Sequence, residues 1–308
     1  MFGVGLELQY RSARRRGARW PGWYLWRAAL LFVEGALHYV LIFEFDVLMS
    51  YAVTSVIVAY LIGRSDRAVR GWIIGCAAVH ALAMTLGTAA LLASNDSMSG
   101  PGSALFTDGT YLEQVGERLT GFAVYRLEAL FIIPMSIAMF LIGSRLRRAG
   151  VFEADARGRR LRNRLMVAGL GVALPLNLLT TLGGGQWFLI DRYVLPPVVA
   201  LGLLGLITTV VLGRTAAPGP LRVGITAVGR TALSGYVAQN LLAAILCYGW
   251  GFGLAARLDE YRPWWPIGLW AVLCATLMPL ATWWLRRFTR GPLELAWHWA
   301  YQAPQRRT

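Results

Sequence analysis

Eight apolar stretches govern what this chain can fold into: Leu25–Phe43, Val47–Gly63, Trp72–Ala93, Val124–Gly143, Leu165–Leu182, Tyr193–Leu212, Thr231–Trp250 and Trp264–Leu285. Each runs roughly 17–22 residues, the length that carries a helix rising 1.5 Å per residue across a ~30 Å hydrocarbon layer. The expected fold is all-α, a polytopic transmembrane helical bundle of about eight spans.

The basic residues indicate which way round such a bundle sits. All 30 are arginines, and threading the stretches from a cytoplasmic N-terminus leaves 25 of them inside. Only Arg118, Arg126, Arg192, Arg257 and Arg262 fall outside. Basic residues close to span ends are retained in the cytoplasm, so both termini are expected on that side. Tryptophans mark the two interfaces, with Trp20, Trp23, Trp26 and Trp284 at inner ends and Trp187, Trp250 and Trp264 at outer ends.

A net charge of +14 would also suit a nucleic-acid binder. Here the charge is divided among short loops beside apolar stretches, which points to anionic lipid headgroups as the partner and not to nucleic acid. Charged residues make up 15% of the chain, well short of the ~25% usual in a soluble domain. Cys76, Cys247 and Cys274 all lie within apolar stretches, with no CxxC and no Cys/His ligand spacing. Neither a metal site nor a disulfide framework is expected from them.

Residues 1–308 read as a single integral membrane domain. Residues 1–24 form a basic cytoplasmic segment whose apolar opening, Met1–Leu6, looks like the remnant of an upstream span. The spans occupy 25–285. Residues 286–308 form a cytoplasmic tail in which Pro292–Tyr301 suits an interfacial helix. The outer connection Ser94–Phe122 carries Asn95, Asp96, Asp108, Glu113 and Glu117, and reads as either a substrate lid or a plain connector. The inner connection Ser144–Arg164 holds eight arginines and room for a short amphipathic helix.

A charge at mid-bilayer costs roughly 2.5–3.5 kcal/mol, so ionisable groups inside the stretches are the leading functional candidates. Glu34 and His38 are four apart and share a helical face. Phe43-Glu44-Phe45-Asp46 follows at the outer surface, and on a continuous helix His38 would lie about 12 Å below Asp46. An imidazole flanked by carboxylates suits proton transfer or acyl acceptance, because the carboxylate orients the ring and stabilises its cation. The same group also suits a structural pair tying helices together. His38, Asp46 and Glu34 are the candidate catalytic residues.

Arg126 and Glu128 open the fourth stretch, where an arginine could grip an anionic group or snorkel to the headgroups. Asn177 sits beside Pro175, which marks a kink in the fifth stretch. Tyr236, Gln239 and Asn240 share a face of the seventh. These six are candidate substrate contacts, with interhelical hydrogen bonding as the competing reading. His80 stands alone in the third stretch and reads as a packing residue.

Five segments carry a family resemblance. They are Phe2-Gly3-Val4-Gly5, then Gly35-Ala36-Leu37-His38 with Phe45-Asp46-Val47-Leu48, and Leu174-Pro175-Leu176-Asn177. Gly229-Arg230-Thr231-Ala232-Leu233-Ser234-Gly235-Tyr236 and Gly291-Pro292-Leu293-Glu294 complete the set. In this order the chain resembles the bacterial YeiB-like membrane proteins, defined by domain of unknown function 418 (DUF418). More remotely it is similar to multi-span acyltransferases that modify sugars at the far face of a membrane. That likeness implies a multi-pass protein of the bacterial cytoplasmic membrane, with His38 and Asp46 at its centre. Family members usually begin with further spans carrying Asp-x-x-Arg-Gly, so the chain looks N-terminally truncated beside them.

Three functions follow as expectations. The first is transfer of an acyl group, from a donor such as acyl-CoA, to a glycan or lipid-linked acceptor. The second is a transporter or lipid flippase using Glu34, His38, His80 and Arg126. The third is a non-catalytic envelope scaffold. No bound cofactor is expected in any of them, and the oligomeric state is left open.

Overall fold

The computed structural model describes residues 1–94, 96 and 104–304, and among these no strand occurs. Asn95, Arg306 and Arg307 fall outside the described residues. The helices run α1 Phe2–Arg15, α2 Tyr24–Leu41, α3 Leu48–Leu61, α4 Asp66–Ser94 and α5 Ala104–Asp108. Then come α6 Tyr111–Thr120, α7 Phe122–Ala149, α8 Ala156–Met166, α9 Leu174–Leu182 and α10 Leu195–Gly213. The last are α11 Pro220–Arg230, α12 Ala232–Cys247, α13 Leu254–Arg257, α14 Trp264–Leu285 and α15 Pro292–Gln302.

Five helical stretches are long and apolar enough to cross a membrane: Asp66–Ser94, Phe122–Ala149, Ala156–Leu182, Ile190–Gly213 and Trp264–Leu285. A chain in lipid must bond its backbone within each segment, and helices meet that demand. Three of the expected spans are shorter helices. α2 has 18 residues, α3 has 14 and α12 has 16. The Ser144–Arg164 connection supplies α8, and the tail supplies α15, as its aromatic pattern suggests.

The fold separates into two compact units. The first comprises Met1–Ala28, Ser50–Pro101 and Leu127–Thr215. Its core gathers Leu6, Val58, Ile62, Val69, Ile137, Phe140 and Leu141. Buried Glu7 binds it from α1, accepting from Arg11 (2.6 Å), Arg148 (2.9 Å) and Ser144 (2.7 Å). Burial draws the Glu7 carboxyl upward, but the bonds from Arg148, Ser144 and Arg11 outweigh it and leave the group below its ordinary value. The kink expected at Pro175 takes the form of a π-helical run, Val167–Ala173, just before it. There Gly169 meets Gly202 of α10 so closely that a Cβ on Gly169 would lie 2.6 Å from the Gly202 Cα. Small residues let membrane helices approach in this way.

The second unit comprises Ala29–Met49, Gly102–Arg126 and Ala216–Thr308. It holds most of α2, the turn after it, α5, α6 and everything from α11 to α15. α12 packs against both α14 and α15.

Candidate functional site

The site begins where α2 stops. Ile42 and Phe43 both donate to the His38 carbonyl, at 2.9 and 3.0 Å, and the helix closes there instead of running on to Asp46. Asp46 then opens α3, its Oδ2 accepting from the amides of Leu48 (2.9 Å) and Met49 (3.4 Å). A carboxylate suits this place because the first amides of a helix have no intrahelical acceptor. The doubling back corrects the 12 Å separation expected of a continuous helix. Asp46 Oδ1 lies 3.0 Å from Nδ1 of His38. The ring N–H points off the line to Oδ1, so this is a close imidazole–carboxylate contact and not a fully aligned hydrogen bond.

Gly35 makes the return possible. A Cβ there would lie 2.7 Å from the Met49 nitrogen and 2.9 Å from Asp46 Oδ2. Only a residue without a side chain lets α2 come so near the start of α3.

α12 completes the constellation. The Tyr236 hydroxyl donates to Asp46 Oδ1 at 3.1 Å, and its ring stands 4.9 Å from the imidazole, centre to centre. Asn240, one turn further along, places Nδ2 3.2 Å from His38 Nε2. The assignment is self-consistent: with the proton on Nδ1 facing Asp46, Nε2 is the acceptor that the Asn240 amide requires. His38 is 2% and Asp46 3% exposed, so these polar contacts act in a medium of low dielectric.

A second polar layer surrounds the turn between α2 and α3. Arg126, which its sequence position suits either to grip an anion or to snorkel, forks onto two backbone carbonyls, Asp46 at 2.9 Å and Glu44. Its guanidinium also lies 4.2 Å from the centre of the Tyr39 ring. Arg118, buried on α6, donates to the Val40 carbonyl at 3.2 Å and lies 3.5 Å from the Glu44 carboxylate. Tyr248 donates to both Glu44 oxygens, at 2.9 and 3.0 Å. Burial pushes the Glu44 carboxyl above its ordinary value, and the bonds from Tyr248 and the nearby charge of Arg118 only partly offset that. Glu44, placed by its sequence at the outer surface, is 4% exposed.

Glu34 lies one turn before His38, and neither of its buried carboxylate oxygens has a hydrogen-bond donor. At the other end of α12, Glu294 accepts from the amides of Leu233 (2.8 Å) and Ser234 (3.2 Å) and from the Ser234 hydroxyl. That clamp satisfies the opening amides of α12 from α15.

The remaining expected residues are elsewhere. Gln239 shares a helix face with Tyr236 but lines an apolar cavity of about 270 Å³ with Ile225, Leu269 and Leu273. Glu128 and Asn177 belong to the other unit and find local partners there. Glu128 accepts from the Tyr193 hydroxyl at 2.6 Å, and Asn177 donates to Asp191 at 2.5 Å. Sequence reasoning missed Arg118, Tyr248 and Glu294 as supports. Two signals pointed to them: Arg118 is one of five arginines assigned to the outer side, and Glu294 closes the Gly-Pro-Leu-Glu motif. Among the described residues no group of three or more His, Cys, Asp and Glu side chains is placed to hold a metal ion.

The arrangement resembles an acid–base pair: a buried imidazole oriented by a carboxylate, with an amide on its free nitrogen. Comparison with known proteins gives three findings. The uncharacterised protein YxaH of Bacillus subtilis (strain 168) is 23% identical, over 96% of this chain and 76% of that protein. No solved structure gives a significant match. The model of a family described as protein of unknown function, DUF418, matches residues 146–303, just over half the chain, and the chain belongs to that family.

Proposed function

We propose that this chain is a membrane-embedded transferase that moves an acyl group onto a hydroxyl of a glycan or lipid-linked acceptor. The supporting observation is the 3.0 Å contact between His38 and Asp46, enclosed together with Asn240 on Nε2. In this reading Asp46 holds the imidazole in the tautomer whose Nε2 is a base. The acceptor hydroxyl displaces the Asn240 amide from Nε2 and gives up its proton there as its oxygen attacks the donor's acyl carbon. The proton then passes to the departing thiolate or alkoxide as the bond to the acyl carbon breaks. Asn240, released from the ring, is free to donate to the oxyanion. An acyl-CoA or a lipid ester would serve as donor.

The arginine distribution supports eight spans with both termini in the cytoplasm of a bacterial plasma membrane, and anionic headgroups beside the inner loops. The test is acyl transfer from a labelled donor by membranes containing the full chain. His38→Ala should abolish it and Asp46→Asn should lower it by about 10³–10⁴, the scale on which loss of an orienting carboxylate acts. Equal transfer by His38→Ala would remove the imidazole from the mechanism.

One observation favours a second reading. Glu34, with both oxygens enclosed and lacking donors one turn from His38, suits a proton-coupled transporter. Uptake of an unmodified solute into proteoliposomes, driven by a pH gradient and lost in Glu34→Gln, would select that reading over transfer.

A further inference from the structure

His80 lies in the middle of α4, 3% exposed, and both of its ring nitrogens face backbone carbonyl oxygens. Nδ1 is 2.7 Å from the Phe131 carbonyl of α7, and Nε2 is 2.9 Å from the Tyr193 carbonyl in the π-helical run Ile190–Val194. All three residues belong to the first unit. A carbonyl oxygen only accepts, and a neutral imidazole has one N–H to give. With a single ring proton, one of the two contacts sets a nitrogen lone pair against an oxygen lone pair. With two, both contacts are hydrogen bonds.

Prolines stand close to both carbonyls in sequence. Pro197, four residues after Tyr193, has no N–H with which to close an α-helical bond to the Tyr193 oxygen. Pro134 lies within α7, three residues after Phe131; it has no N–H for the Leu130 oxygen, and its ring loosens the turn that carries the Phe131 carbonyl. In hydrocarbon an unbonded carbonyl has no water to turn to.

We propose that His80 is a proton-operated latch, which in its doubly protonated form ties α4 at once to α7 and to the run leading into α10. Loss of the proton releases one of the two carbonyls. The other ionisable groups on the elements packed around it are already engaged. Glu128 of α7 takes the Tyr193 hydroxyl at 2.6 Å, and Arg192 approaches that same carboxylate at 3.8 Å. Asp191 is occupied by Asn177, Thr180 and Thr181. Cys76 on α4 carries no charge to balance. The imidazolium is therefore held by carbonyl dipoles, with no carboxylate bonded to the ring.

The sign of the effect follows. Both contacts are hydrogen bonds only while the ring carries two protons, so the tie that His80 makes is complete in acid and halved in base. The chain has three histidines, so a full-length His38→Asn/His298→Asn protein labelled with ¹⁵N-histidine reports on His80 alone in bilayers. The expected result is two protonated ring nitrogens near pH 5 and one near pH 9. In parallel, the wild-type Tm in detergent should fall over that range by a few degrees more than that of His80→Asn, whose amide can reach only one carbonyl. A ring holding the same number of protons throughout, whether one or two, overturns the proposal, as do identical Tm profiles for the two proteins. If His80→Asn does not fold, the nitrogen spectra decide alone.

Discussion

Gly35→Ala adds one methyl group where the chain turns back on itself. The added carbon would lie 2.7 Å from the Met49 nitrogen, 2.9 Å from Asp46 Oδ2 and 2.9 Å from Leu48 Cβ, all shorter than van der Waals contact. Two of these neighbours are backbone or fixed to backbone, so α2 and the start of α3 must separate by several tenths of an ångström. Overpacking of this kind costs about 1–3 kcal/mol. Against it stands the gain of replacing a mid-helix glycine, about 0.5–1 kcal/mol. The net effect is a loss of about 1–2 kcal/mol. Gly75→Ala is the control, since a Cβ there meets nothing within 4 Å and only the helical gain remains. Cys76, Cys247 and Cys274 are free and partly buried, so a thiol-reactive dye follows unfolding in detergent without added labels. Gly35→Ala should melt a few degrees below wild type and Gly75→Ala at or above it. Because the same shift moves Asp46 away from His38, Gly35→Ala should also impair whatever activity the site has. Equal melting of the two variants, or a Gly35→Ala protein with an intact His38–Asp46 contact, would refute the close-approach argument.

Three further outcomes follow from contacts described above. Glu294→Gln removes the charge from three hydrogen bonds at the start of α12 and should lower stability by about 1–3 kcal/mol, read as Tm. Tyr248→Phe deprives ionised Glu44 of its donor. The Glu44 carboxyl is already raised by burial, so the variant's Tm deficit should be small near pH 4 and grow toward pH 8, as more of the group must ionise. Glu7→Gln should cost about 2 kcal/mol at neutral pH, and the difference from wild type should shrink in acid as the native carboxylate protonates.

The apolar stretches were legible as helices because hydrocarbon length and hydropathy act on each segment separately. His38 was legible as well, a rare ionisable group in a long apolar run, and so were Tyr236 and Asn240 by their helical spacing. The distance between His38 and Asp46 was not, because it depends on where α2 ends, and that is set by the Asp46 cap and the bare Cα of Gly35. Helical spacing likewise put Gln239 beside Tyr236, yet the face of α12 that meets the cavity begins between them. The partners of Glu128 and Asn177 could not be read in advance, because Tyr193 and Asp191 become their neighbours only through packing in the other unit. Arg126 could be identified as important but not as a carbonyl fork, since backbone acceptors leave no trace in composition.

The interruption between α2 and α3 also bears on how the centre tolerates change. Imidazole and carboxylate come from one short reversal of the chain, so their mutual distance is fixed by local geometry and not by how distant helices happen to lean. Drift among the lipid-facing helices can alter what reaches the imidazole without disturbing what tunes it.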